Sequence, residues 1–405
     1  MTFEQMWQDV ATVGRVDGGG YRRQSFAGAD LELREWFAAA AGERGLSCEV
    51  DPFGNLAAWW RPADVGTGPG MLTGSHLDSV VDGGAYDGLL GVVSGFAALD
   101  LLREGGVVPA RPVGVAAFAE QEGSRFGRPS LGAGLATGAL GWAEARELCD
   151  SAGVRLPDAL AAAGIAPPDA DPGRDAVAAA FRRRVACYVE LHLEQGRDLA
   201  DRDAPVGLGG RTWPHGRYRF DFTGTGDHAG TARMEDRRDP MLGYAMTVLA
   251  ANKQARLSGQ RATFGRVEVA PGAADAVPSR VTGWLDARAE DEEALERLVA
   301  AIVAQGTARS QRDGTELVVT PESVSPAVVL DPSLAGRVGA GRDWPVVPTA
   351  AGHGAGVLNA AGVPAAMLFV RNPTGVSHSP AEHADLADCL VGVRALADTL
   401  ARLAV

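Results

Sequence analysis

Residues 74–91 read GSHLDSVVDGGAYDGLLG and set His76, Asp78 and Asp87 close together in the chain. A neutral imidazole nitrogen of His76 can bind a divalent cation, while Asp78 accepts its other N–H and fixes the tautomer. Two residues apart on a strand, these side chains point to the same side. Asp87 lies in a Tyr-Asp-Gly turn that opens into a helical pattern, where its carboxylate can bridge two cations. Further donors end other strand-like runs: Glu122 in EQEGSRF, His192 in ELHLEQG and His378 in GVSHSP. Two histidines would suggest one zinc. Three histidines with two carboxylates suit a pair of cations ~3.5–4 Å apart, bridged by one carboxylate and one water. The bland alternative is an Asp/Gly-rich surface loop with a satisfied histidine. Five donors on separate strand ends, each beside glycine or a second carboxylate, outweigh it.

A scaffold must deliver these donors to one place. Residues 71–74 read as the end of a buried strand, followed by a helix over 89–103. The run 112–119 is continuously apolar, as strands covered on both faces are, and 184–193 and 363–370 read as further buried strands. A helix over 29–45 (Leu31, Leu33, Trp36, Phe37 and Ala40 apolar), strands near 48–50 and 55–60, and a loop at 62–70 precede the motif. Residues 129–183 are Ala/Gly-rich and helical with a break at 167–173; further helices are expected at 331–340 and 381–403. Strands alternating with helices, with polar residues at the strand ends, imply an α/β sheet with its site at that edge. Near 209–213 the pattern changes. Strands at 217–222, 263–269, 279–286 and 316–320, with helices at 236–257 and 291–309, follow a β-α-β-β-α-β order. The fold expected is α/β: a discontinuous catalytic domain, 1–210 and 323–405, with a ferredoxin-like α+β domain inserted at 211–322.

The 405 residues, 46% hydrophobic, are enough for two such domains. Lys and Arg number 38 against 51 Asp and Glu, a net charge of −13 that argues against nucleic acid or an anionic membrane as partner. Four widely spaced cysteines without C-x-x-C read as reduced, mostly buried thiols of a cytoplasmic protein. Residues 1–26 are polar and glycine-interrupted, without the apolar run of a signal peptide. The longest apolar stretch, 89–102, is too short to span a bilayer and contains Asp100.

Taken together, GSHLDSVVDGGAYDG, EQEGSRFG, ELHLEQG, DHAGTARMEDRRDP, LDAR and VSHSPAEH resemble the di-metal amidohydrolases that include allantoate amidohydrolase and N-carbamoyl-L-amino-acid hydrolase, relatives of zinc aminoacylases and carboxypeptidases. The similarity runs from about Tyr21 to the C-terminus, and two stretches, HGRYRFDFTGTGDHAGTARMEDRRDPML and FVRNPTGVSHSP, look most like actinobacterial-type allantoate amidohydrolases. The resemblance implies two divalent cations, zinc or manganese, with Asp87 between them. His76 and His192 would complete one site, Glu122 and His378 the other. It implies that the inserted domain is a lid and dimerisation module whose His228 polarises the scissile carbonyl in the partner's site of a homodimer. Gln195 matches a substrate contact, His353 a position near the substrate, and Arg288 a two-pronged clamp on a substrate carboxylate. His215 and His383 match nothing functional and read as surface or structural.

Three departures stand out. Where the family carries a general-base glutamate the chain has Gln121, and losing such a base usually costs about 10²–10⁴-fold in rate. Glu120 is the nearest substitute, but on an extended strand it would face away from Gln121. A family asparagine is replaced by Asp275, which adds negative charge where a substrate carboxylate is expected. His353 is followed by Gly354, so its usual acidic neighbour is missing. The expected function is hydrolysis of a linear ureido or amide C–N bond in a small carboxylated, allantoate-like compound, with Gln121, Asp78 and His228 at the catalytic positions. Alternatives are an N-carbamoyl-L-amino-acid hydrolase, a repurposed N-acyl amidohydrolase, a metal- and ligand-binding homologue without catalysis, or an engineered Glu→Gln substrate trap.

Overall fold

The computed structural model describes the chain except residues 63, 64, 66, 67 and 405, so part of the loop expected at 62–70 lies outside the described residues. Two compact units are present, Met1–Arg211 with Val329–Val405, and Thr212–Val328.

The first unit is built on a mixed sheet. Its order runs Ser47–Val50, Leu56–Trp60, Val113–Phe118, Gly70–His76, Val185–Leu193, Ala365–Val370, Val206–Thr212. The four central strands are mutually parallel, with His76 opposite Phe118 and His192 opposite Phe369. Parallel register brings their C-terminal ends, and the residues that follow, to one edge. Every residue of Gly70–His76, Val113–Phe118 and Ala365–Val370 is buried, which explains the unbroken apolar character of the last two. Alternate side chains serve opposite faces. Val189, Leu191, Leu368 and Val370 join a core that includes residues of the helices Leu89–Glu104 and Leu386–Ala404, while Tyr188, Met367 and Phe369 join a second core with Trp59 and Leu358.

Several elements were not legible in the sequence. The helix Phe3–Val10 is capped by a reciprocal Thr2–Gln5 pair and buries Phe3, Met6 and Val10, a stripe too short to stand out from its polar surroundings. The strands Val206–Thr212 and Val346–Thr349 and the helix Gly354–Ala360 were also missed; LGG and GAG glycines obscure their patterns. All four cysteines are free thiols, but only Cys187 and Cys389 are buried. Cys48 is exposed on a strand at the sheet edge, and Cys149 is exposed too, which corrects the expectation of mostly buried thiols.

In the second unit, four antiparallel strands lie in the order Glu316–Ser325, His215–Thr223, Arg280–Arg288, Arg261–Ala270. With the helices Pro240–Ser258 and Glu292–Arg312, this is the strand order of a ferredoxin-like module. Asp239 and Asp291 cap the two helices by accepting backbone N–H groups of Met241 and Ala294. Phe220, Phe222, Val281, Leu285, Leu298 and Ile302 form its core. No helix among the described residues of the chain is long and apolar enough to cross a membrane.

Gly91 lets the helix Leu89–Glu104 lie directly on the sheet, because a Cβ there would overlap the Leu191 carbonyl and press on Ser75. Gly91→Ala should therefore lower stability by about 1–3 kcal/mol, the usual range for overpacking. A denaturant titration with an unchanged midpoint would contradict this packing account.

Candidate metal centre

One buried carboxylate gathers the imidazoles. The Nε2 atoms of His76 and His192 lie 3.3 and 3.1 Å from Asp87 Oδ1, and that of His378 lies 3.3 Å from Asp87 Oδ2. His378 Nε2 is also 3.4 Å from Glu122 Oε2. Single donor atoms of His76, Asp87 and His192 fall within 4.8 Å of one another, and so do those of Asp87, Glu122 and His378. The five donors named from the sequence thus form two sets that share Asp87.

The tautomers follow from the neighbours. His76 Nδ1 donates to the Asp78 carbonyl oxygen at 3.0 Å, and His192 Nδ1 to that of Leu193 at 2.9 Å. A carbonyl only accepts, so each Nδ1 carries hydrogen and, in the neutral ring, each Nε2 turns a lone pair toward a carboxylate oxygen. Lone pairs facing an anion suit a cation between them, and nitrogen and carboxylate donors suit a first-row divalent ion. Burial disfavours charge on His76 and His192, yet Asp78 and Asp87 hold the first well above the ordinary imidazole value and Asp87 raises the second. Half-exposed His378, beside Asp87 and Glu122, is raised to about 10. Asp87 is held well below the carboxylate range by the three imidazoles, against the effect of burial. The cluster thus favours positive charge beside its carboxylates.

Asp78 acts differently from the sequence expectation. The strand ends at His76, and the Asp78 carboxylate sits 3.6 Å from the His76 ring nitrogen. Its two oxygens accept the backbone N–H groups of Gln121 and Glu122 instead, at 3.1 and 3.0 Å. Gln121 Nε2 donates to Ser130 Oγ at 3.0 Å and to the Gly352 carbonyl at 3.3 Å. Glu120 is not on an extended strand: its φ is +52°, and its Oε1 accepts the N–H groups of Arg125 and Phe126. Burial, then the Asp78 charge, pushes its carboxyl up to about 7.

Gln195, expected as a substrate contact, donates to Asp87 Oδ2 at 2.8 Å and to Ser377 Oγ at 3.2 Å. His353 is buried, packs edge-on against His192 with ring centroids 4.6 Å apart, and lies 3.3 Å from Thr349 Oγ1. An acidic neighbour is present after all, from another strand: a Glu190 oxygen shares a 4.8 Å cluster with His353 and His192. Its carboxylate accepts Ser75 Oγ–H and the Ala355 N–H. With both His192 nitrogens already facing partners, this cluster is no separate cation site. In the sequence, Glu190 and Glu382 are signalled only as the carboxylates within ELHLE and SPAEH.

The remaining candidates belong to the second unit. His228 is exposed, and its Nδ1 accepts the N–H groups of Gly230 and Thr231 at 2.9 and 3.2 Å, so Nε2 carries the hydrogen. Asp275 neighbours it: Ala276 pairs with His228, and the Asp275 carbonyl accepts the Ala229 N–H. Arg288 grips Asp286 with two N–H groups, at 2.7 and 3.1 Å. His215 is half-buried and His383 exposed, the latter 3.2 Å from Asp385.

Two donor sets that share a buried carboxylate at the C-terminal edge of an α/β sheet could hold metal ions, as the site of a metal-dependent hydrolase must. Residues 72–402 match the peptidase family M20/M25/M40, and the chain belongs to that family. It is 34% identical to the N-carbamoyl-L-amino acid amidohydrolase of Geobacillus stearothermophilus, over 99% of this chain and 98% of that one. To the allantoate amidohydrolase of Bacillus subtilis it is 31% identical, over 98% and 95%. A crystal structure of a hydantoinase/carbamoylase family amidase from Burkholderia vietnamiensis superposes with a TM-score of 0.88 at 27% identity, covering 99% of this chain and 96% of that one.

Glu120 offers a test of the local electrostatics. Its carboxyl is raised on folding, so its stabilising contribution is complete below pH 4.5 and lost as pH climbs through about 7. Glu120→Gln should flatten the pH dependence of the urea midpoint across that window without changing cation stoichiometry. Parallel curves for the two proteins would refute the assignment.

Proposed function

We propose that this chain is a two-cation amidohydrolase acting on a small α-ureido carboxylate, a compound with –NH–CO–NH₂ on the carbon next to a carboxylate. A hydrolase of C–N bonds other than peptide bonds follows from the family and its full-length amidohydrolase relatives. The ureido carboxylate is what N-carbamoyl amino acids and allantoate share chemically. The observation that carries the two-cation reading is Asp87, common to both donor sets. His76 and His192 would hold one ion, Glu122 and His378 the other, and zinc or manganese suits the donors. Bound there, the ions supply Lewis acidity to the carbonyl and to the attacking water.

The chain's own residues do the rest. His228, an Nε2–H donor, is suited to the developing oxyanion, and Arg288 to the substrate carboxylate. Asp275, beside His228, places a negative charge that favours a substrate carrying a donor at that end. Gln121 can orient water but cannot take its proton, so the protein as written is a slow hydrolase. Four free thiols suit a reducing compartment such as the cytoplasm.

We read the inserted unit as the dimerisation module. Leu242, Met246, Leu249 and Leu257 on Pro240–Ser258 are 46%, 46%, 64% and 73% exposed, and Val267 and Val269 on the edge strand Arg261–Ala270 are exposed as well. An apolar helix stripe beside an unpaired strand is the surface a second copy covers.

Two measurements test these readings. With two equivalents of cation bound, Gln121→Glu should raise turnover of an α-ureido carboxylate about 10²-fold or more. Equal or lower turnover in Gln121→Glu would remove position 121 from the base role, and failure to bind cations while folded would remove the two-cation reading. Sedimentation should show a dimer, and the pair Leu249→Glu and Leu257→Glu should yield a monomer; a monomeric parent with full activity would contradict the homodimer.

A further inference from the structure

We infer that Glu382 is a positioning residue that locks the bridging carboxylate to the loop of His378, and so determines whether the second cation is held; this rests on the two-cation reading. Three hydrogen-bond donors converge on its carboxylate. Oε1 accepts the backbone N–H groups of Tyr86 and Asp87, at 2.8 and 3.0 Å. Oε2 accepts the hydroxyl of Ser377 at 2.7 Å. One side chain therefore ties the main chain of Asp87 to the residue preceding His378.

The tie is buried and pre-shaped. Glu382 is 5% exposed, and its own N–H bonds to the Ser379 carbonyl, so the 377–382 segment turns back on itself. Gly84 makes room for it, since a Cβ at that position would overlap the Glu382 carboxylate. Gln195 adds a parallel strut from Asp87 Oδ2 to Ser377 Oγ. The two ligand-bearing loops are far apart in the chain, and these two side chains tie them by hydrogen bonds, beside the direct approach of His378 to Asp87 and the edge-on contact of Tyr86 with His383. His378 needs such support: it is half-exposed and its backbone stands at φ +55°, a conformation that costs a non-glycine residue energy. His76 and His192 are different, being anchored through Nδ1 to backbone carbonyls on or just after their own strands.

The reading predicts an asymmetry. Removing Glu382 should weaken the ion held by Glu122 and His378 and spare the ion held by His76 and His192. Outer partners that orient ligands typically contribute 10–100-fold in metal affinity. The experiment is a zinc titration of full-length, metal-stripped protein by calorimetry with a competing chelator, each variant checked for native circular dichroism. Glu382→Ala should bind the second equivalent about 10–100-fold more weakly, with the first within about threefold of the parent. Glu382→Gln keeps an acceptor for the two N–H groups and lets Ser377 accept instead of donate, so it should restore most of the second-site affinity. Gly84→Ala, which keeps the Glu382 side chain but displaces it, should reproduce the Glu382→Ala defect. If the parent itself takes up fewer than two equivalents, the two-cation reading falls. If the parent binds two and Glu382→Ala binds both as tightly, or if Glu382→Gln is as defective as Glu382→Ala, the positioning role falls alone.

Discussion

A carboxylate surrounded by three imidazoles is the interaction on which the arrangement turns. Asp87 is buried, and a lone buried anion is costly unless charge or hydrogen bonds compensate it. In their charged forms His76, His192 and His378 supply that compensation, with Gln195 as a further donor. The parallel strands exist, in functional terms, to bring those groups to a single edge. Register matters most for the two donors on strands, because a one-residue slip would turn His76 or His192 to the opposite face of the sheet.

The surrounding polar network is organised by acceptors rather than by opposite charges. Asp78 holds the backbone at 121 and 122, Glu120 that at 125 and 126, and Glu190 the start of the helix Gly354–Ala360. Each is a buried carboxylate placed where main-chain N–H groups would otherwise lack partners. This explains why so acidic a chain can bury several carboxylates near its centre.

Much of this was legible from residue type and spacing. Largely apolar runs with polar residues at or just beyond their ends marked the central strands, and the β-α-β-β-α-β succession marked the insertion. What stayed hidden depended on contacts distant in sequence. Nothing in the stretch after His353 announces that its acidic neighbour comes from Glu190, and nothing near Glu382 announces that it reaches the main chain at Tyr86. Asp78 was read as a side-chain partner of His76, but the chain leaves the strand geometry at that point, and the carbonyl takes over. Glu120 escaped because a left-handed backbone residue at the end of a strand breaks the alternation that a sequence reading assumes. Glycine-rich segments such as 206–212 carried too little side chain to show a period.

Because Asp78 grips the main-chain N–H groups of positions 121 and 122, that anchor does not depend on what side chain position 121 carries. On the proposed reading, cation binding and proton acceptance are therefore separately mutable. A lineage can exchange an acid for an amide in one step, keep the shape of its centre, and drift from turnover toward sequestration or sensing. The route back is equally short, a single codon change with no refolding required.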